Sequence, residues 1–190
     1  MKNKIIICVC IVAVVLGFIG TYALYNSLRG NYKADNLAET QNSTESAQNS
    51  QKTTENTAPD FEAQDKDGNN VLLSDYFGKP IVLNLWASWC SPCKSEMPYF
   101  EEAYKNNPDI QFLMVNMTAG DDIKDAKAFI KKEGYTFPVL YDVTGEAAYV
   151  YQAESLPMTI FIDENGNMVT YGVGAFDKAT LQKGIDMIKE

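Results

Sequence analysis

Hydrophobic patterning divides the chain into three parts. Ile5 to Leu24 is a run of twenty residues without a charge. At a helical rise of 1.5 Å per residue such a run spans a hydrocarbon core of ~30 Å. Asn26 to Ala58 is polar, rich in Asn, Ser, Thr, Gln, Glu and Ala, and its only large apolar residues are Leu28, Tyr32 and Leu37. That composition cannot bury enough surface to offset chain entropy, which predicts a disordered tether. From Pro59 onward apolar residues recur at strand and helix periods. The expected organisation is a transmembrane segment at 1–25, a linker at 26–58 and one folded domain at 59–190.

Within the domain, short extended pieces are expected around Phe61 and at Val71-Leu72-Leu73, joined by the turn Asp67-Gly68-Asn69-Asn70, and one helical turn over Ser74-Asp75-Tyr76-Phe77 that Gly78 stops. The apolar run Ile81-Val82-Leu83-Asn84-Leu85-Trp86 reads as a buried central strand. Residues 92–105 read as a helix that Pro98 should kink. A second buried strand is expected over Ile110 to Val115, then a helix from Asp121 to Lys132 that Gly134 ends. A strand over Phe137 to Tyr141 and a short helix over Gly145 to Tyr151 follow. Thr159 to Asp163 and Met168 to Val173 form a hairpin about Glu164-Asn165-Gly166-Asn167. Leu181, Ile185 and Ile188 give a last helix its apolar face. Strands that alternate with helices and close on a hairpin predict an α/β fold, a mixed sheet with helices on both faces.

The start of the chain decides where this domain sits. Lys2, Lys4 and the terminal amine precede the apolar run and favour an N-terminus on the inner side. A signal peptide and an uncleaved anchor both fit. The run exceeds the common length of a signal core and no A-x-A-like site follows it, which favours the anchor. Everything after residue 25 is then expected outside a cell membrane crossed once.

Charge and composition narrow the chemistry. The 190 residues carry 16 basic and 25 acidic groups, a net charge of −9. The domain itself holds eleven lysines against twenty-one acids, so nucleic acid is not an expected partner. His is absent, which removes imidazole as a base or metal ligand. Of the four cysteines, Cys8 and Cys10 fall inside the apolar run, where they read as small apolar residues. Cys90 and Cys93 are left.

Cys90-Ser91-Pro92-Cys93 follows a predicted strand and opens a predicted helix. Three readings fit such a pair. A zinc half-site needs two further ligands, and none is at hand. A purely structural disulfide gains little from so short a loop. A dithiol for exchange fits the placement, because the free N–H groups and positive dipole end of a helix favour thiolate at the first sulfur. Cys90 is then the more exposed, attacking sulfur, and Cys93, one turn inside, resolves the mixed disulfide. Pro92 lacks only a donor that a first turn leaves unused. No metal and no cofactor are expected.

Trp89-Cys90-Ser91-Pro92-Cys93-Lys94 resembles the active site of the thioredoxin superfamily. Ala58-Pro59-Asp60-Phe61, Asn84-Leu85-Trp86-Ala87-Ser88-Trp89-Cys90, Glu96-Met97-Pro98, Phe137-Pro138-Val139 and Leu156-Pro157-Met158-Thr159 resemble, more narrowly, the membrane-anchored TlpA/ResA-type thiol-disulfide oxidoreductases. The resemblance implies a thioredoxin-like three-layer sandwich with an N-terminal extension and a central insertion at about 118–152. It implies that Pro157 is the cis-proline facing the disulfide and that Leu156 and Pro157, with Trp89 and Pro92, receive the substrate. A plain trans proline at a strand start is the alternative for Pro157. It further implies that Glu96 gives or takes a proton beside the cysteines; the alternative is a solvated first-turn carboxylate. Ordinary thioredoxins have a buried Asp where this chain has Asn84. An amide cannot shuttle protons, so that task passes to Glu96 or water.

The same resemblance implies an extracytoplasmic reductant of disulfides in exported proteins, such as apocytochrome c or cell-envelope enzymes. An integral membrane donor of the CcdA or DsbD type would supply the electrons. A disulfide-forming oxidant and a non-catalytic binding or chaperone module are the alternatives. A thiol peroxidase would need a peroxide pocket that this cysteine pair does not suggest.

Overall fold

The computed structural model describes residues 38–39 and 56–189. The apolar run expected to cross a membrane and most of the expected tether lie outside the described residues. Among the described residues no helix is long and apolar enough to cross a membrane.

One mixed sheet organises the domain. Its strands are β1 (Ala38–Glu39), β2 (Glu62–Gln64), β3 (Asn70–Leu72), β4 (Ile81–Trp86), β5 (Gln111–Asn116), β6 (Val139–Tyr141), β7 (Met158–Ile162) and β8 (Met168–Val173). Their spatial order is β1-β8-β7-β4-β5-β6-β2-β3. β4, β5 and β6 run parallel, while β7 lies antiparallel to β4 and β8 antiparallel to β7. The helices are α1 (Ser91–Asn106), α2 (Ile123–Glu133), α3 (Glu146–Val150) and α4 (Lys178–Met187).

Every residue of β4 and β7 is buried, as a strand covered on both faces requires. Alternation sorts the side chains of β4 into two cores. Val82 and Trp86 join Met97 and Phe100 of α1, Ala126 of α2, and Leu181 and Ile185 of α4. Ile81, Leu83 and Leu85 join Phe61, Leu73, Ala147 and Tyr151 on the other face. Three layers result, with α1, α2 and α4 on the face that also holds both cysteines. Asn84, between Val82 and Trp86, points into this layer.

Before β2 the chain is already fastened to the β7–β8 hairpin. Ala58 N donates to Gly166 O at 2.9 Å, Met168 N donates to Asn56 O at 2.7 Å, and Ala58 is buried. Ala38 and Glu39 lie opposite Tyr171 and Thr170 of β8. The hairpin turn is built by Asp163, whose Oδ1 accepts from Asn165 N and Asn167 N. Gly166 completes it at φ 82°, where a Cβ would overlap the ring of Phe77.

Three local expectations change. Leu73 leaves the strand and starts a 3-10 turn, Leu73–Tyr76, because Asp75 Oδ2 accepts Leu72 N at 2.8 Å and folds the chain back. The strand expected from Phe137 begins at Val139: Phe137 N turns to Glu101 Oε2 and Pro138 has no donor for a ladder. The helix expected from Asp121 begins at Ile123, capped by Asp122, whose carboxylate accepts Lys124 N at 2.8 Å. Pro98 lies inside α1, whose helical run continues unbroken from Ser91 to Asn106.

Candidate active site

β4 delivers the chain to the site and α1 carries it away. Between them Ala87 O accepts Cys90 N at 3.1 Å, and Cys90 O accepts Lys94 N at 3.2 Å to begin the helix. Cys90 is the N-cap of α1, its sulfur accepting Cys93 N at 3.2 Å. Cys90 and Cys93 are joined as a disulfide with their Cα atoms 5.3 Å apart. Ser91 and Pro92, both exposed, take the first two helical positions, and Pro92 replaces an N–H without a helical acceptor.

The two sulfurs are not equivalent. Cys90 keeps 4% of its surface and Cys93 none, so an incoming group meets Cys90 first. The N–H that donates to the Cys90 sulfur, together with the positive end of α1, favours a thiolate there after reduction.

Glu96 lies one turn beyond Cys93 and is fully buried, not solvated. Its Oε1 accepts Asn84 Nδ2 at 2.9 Å and its Oε2 accepts Phe176 N at 2.7 Å. Burial pushes its carboxyl up to about 7, against the opposing pull of Phe176 N–H and the Asn84 amide. Below that pH Glu96 is mostly neutral and puts little like charge near a thiolate. Around it, Glu96 can take or release a proton, which Asn84 cannot.

The other sequence-selected residues lie at or near the end of β4 that leads into α1. Trp89 is largely exposed, with Nε1 donating to Gly120 O at 3.0 Å. Leu156 packs on both cores, including the one that holds the cysteines. The Leu156–Pro157 bond is cis, and Pro157 O accepts Gly174 N at 2.8 Å. β7 follows directly, with Thr159 opposite Asn84 and Met158 opposite Leu85, so Pro157 stands at the end of β4 from which the cysteine loop departs.

Sequence reasoning missed Thr159, Phe176 and Asp121. Thr159 Oγ1 accepts the second Asn84 N–H at 3.0 Å. Asp121 reaches back 33 residues to Ser88. Its only local trace was the doublet Asp121-Asp122, two acids where one suffices for a cap. A hollow of about 520 Å³ lies elsewhere: its sheet residues Met158, Met168 and Tyr171 belong to the core on the far face from the sulfurs.

The chain matches the AhpC/TSA family over residues 54–171. It belongs to that family. It is 36% identical to thiol-disulfide oxidoreductase ResA of Geobacillus kaustophilus over 135 residues, 70% of this chain and 76% of that one. The crystal structure of the exposed lipoprotein thioredoxin Etrx1 of Streptococcus pneumoniae superposes with a TM-score of 0.57 at 34% identity, covering 67% of this chain and 99% of that one. StoA of Bacillus subtilis superposes with a TM-score of 0.58 at 25% identity, covering 67% and 96%. The fold is thioredoxin-like, with a mixed sheet. With a disulfide at the strand–helix junction and relatives of this kind, this member of the family is a thiol-disulfide oxidoreductase.

Proposed function

We propose that the protein reduces disulfides of exported proteins outside the cell membrane, held there by residues 1–25 and the polar segment that follows. The Cys90–Cys93 disulfide at the N-terminus of α1, with buried Glu96 one turn below it, carries this reading. The uncharged run ahead of a polar tract and a pneumococcal neighbour described as an exposed lipoprotein support the location.

In the forward direction Cys90 thiolate attacks one sulfur of a substrate disulfide. A mixed disulfide forms and the first substrate thiolate leaves, taking up a proton. Cys93 then loses its proton and attacks Cys90 Sγ, releasing the second substrate thiolate. The substrate gains two electrons and two protons, and the protein returns to the oxidised form. Glu96 exchanges the proton of the second step. Trp89, Pro92, Leu156 and Pro157 form the docking surface. A membrane dithiol donor of the CcdA or DsbD type restores the reduced pair.

Cys93→Ala tests the reading. Expressed in intact membranes, it should accumulate disulfide-linked adducts that disappear with reductant and with a second change, Cys90→Ser. Absence of adducts would count against exchange, and adducts confined to cytoplasmic proteins would count against the location. If the domain, once oxidised, transfers its disulfide to reduced partners faster than its reduced form opens theirs, the direction is that of an oxidant.

A further inference from the structure

The two residues before Cys90 are fastened to one short segment far along the chain. Ser88 N donates to Asp121 Oδ2 at 2.6 Å and Ser88 Oγ donates to Asp121 Oδ1 at 2.7 Å, so one carboxylate takes both donors of Ser88. Asn116 Nδ2, at the buried end of β5, donates to the same Oδ2 at 2.8 Å. Gly120 O, one residue before Asp121, accepts Trp89 Nε1 at 3.0 Å. The segment is itself anchored. Asp121 N donates to Thr118 O, Ala119 N to Asp142 O, and Asp142 N to Asn116 O. Burial pushes the Asp121 carboxyl up, but the hydrogen bonds from Asn116 and Ser88 outweigh it and hold it below the usual carboxylate range, so it stays ionised.

Trp89 leaves 63% of its surface in water beside the reactive sulfur. An exposed indole adds little to the core, whereas large aromatic rings serve as anchors where proteins meet. A ring pinned by its N–H loses less freedom on binding than a loose one.

We propose that Asp121 is a positioning residue for disulfide exchange. Acting through Ser88 and alongside the Gly120 carbonyl, it sets the pose of the Trp89 ring as an apolar platform on which a polypeptide disulfide docks beside Cys90. The occupant is a peptide segment with an apolar side chain flanking its cystine, and the bracket favours such substrates over small disulfides and alkylating agents. The proposal rests on Cys90 as the attacking sulfur.

The test uses the reduced full chain in detergent. Two reagents are compared: a cystine-bridged peptide with a Phe next to one half-cystine, and iodoacetamide. Asp121→Ala should slow peptide reduction about tenfold, mainly through a raised KM, the factor expected for losing hydrogen bonds to a charged group. The iodoacetamide rate should change less than about twofold, because the Cys90 cap on α1 is untouched. Ser88→Ala should give part of the peptide defect, and Ser88→Ala with Asp121→Ala should be little worse than Asp121→Ala alone. Asp121→Asn, of the same size, and Ser88→Ala carry the test should Asp121→Ala fail to fold. Unchanged peptide kinetics in these variants, or equal losses with both reagents, would overturn the proposal. The underlying assignment is read separately in the unsubstituted chain: limiting iodoacetamide should label Cys90, and preferential labelling of Cys93 would remove the assignment and the proposal together.

Discussion

Asn84 Nδ2 donates to Glu96 Oε1 at 2.9 Å in a part of the core that water does not reach. The other N–H of the same amide goes to Thr159 Oγ1, while Asn84 Oδ1 has no hydrogen-bond partner among the described residues. Phe176 N, from the loop before α4, takes the second Glu96 oxygen. β4, β7, α1 and that loop thus converge on one carboxyl beside Cys93. Donors on both oxygens offset only part of the cost of an ionised buried group, and the carboxyl titrates close to neutrality.

That titration predicts a pH-dependent stability. Unfolded, Glu96 ionises near 4.5; folded, it does so at about 7. Between these values the folded chain keeps a proton that the unfolded chain has released, so this group's contribution to stability declines as pH rises from about 4.5 to 7 and is flat above. The full difference is about 3 kcal/mol at 1.36 kcal/mol per pH unit. Urea unfolding of the oxidised protein as a function of pH should show this decline, and Glu96→Gln should lose it. Parallel curves for the two proteins would contradict the assignment.

Asn84 tunes the same proton. Its amide favours the ionised form of Glu96, so Asn84→Leu should raise the Glu96 midpoint further, by about one pH unit. Asn84→Asp should raise it more, by setting a second carboxyl against the first. The carboxyl carbon resonance of Glu96 reports the midpoint directly. The pH dependence of mixed-disulfide resolution by Cys93 should move with it. A midpoint that stays put or falls would show that the amide is not what supports the ionised form.

The sequence showed most plainly what depends on neighbours in the chain. The run from Ile81 to Trp86 announced a strand buried on both faces, and it is one. The cysteine pair at the strand–helix junction follows from the same local logic. Glu96 could be placed one turn after Cys93, but not assigned its surroundings, because Phe176 lies 80 residues away and helical period alone does not tell a buried carboxyl from a solvated one. Asp121 could be placed near the start of α2, but not tied to Ser88, which lies 33 residues back. Leu73 belongs to the expected helical turn rather than to the strand, because Asp75 holds Leu72 N and starts that turn one residue early.

Glu101 shows the same long reach without any part in the chemistry. Its carboxylate accepts Thr136 Oγ1 at 2.7 Å and Thr136 N at 2.9 Å, and it pairs with Lys105 Nζ at 2.8 Å. These bonds tie α1 to the chain entering β6. Burial pushes the carboxyl up, but the bonds from Lys105 and Thr136 hold it below the usual range. Its stabilisation is therefore present at neutral pH and lost as pH falls through its lowered value. Glu101→Ala should cost roughly 2–3 kcal/mol at pH 7 by leaving the backbone donors of Thr136 and Phe137 unpaired, with the rate of Cys90 alkylation unchanged. An altered alkylation rate in protein that remains folded would show that the tie reaches the active site.

Gly184 gives the most direct link between packing and the proton site. It lies inside α4, where a Cβ would overlap the ring of Phe161. Phe161 is fully buried and stacked on Phe176 with ring centroids 6.2 Å apart, and Phe176 N holds Glu96 Oε2. Alanine gains about 1 kcal/mol of helix propensity over glycine, but overpacking a filled core costs about 1–3 kcal/mol, so Gly184→Ala should be destabilising on balance. The displaced ring should also loosen the Phe176 N–H from Glu96, removing a bond that favours the ionised form, so the Glu96 midpoint should rise along with the loss of stability. Adding Phe161→Leu, which vacates the space the new methyl needs, should restore much of the stability of the single variant. If it does not, the overlap with Phe161 is not the source of the strain. If stability returns but the midpoint stays raised, the Phe161–Phe176 stack is what holds that donor in place.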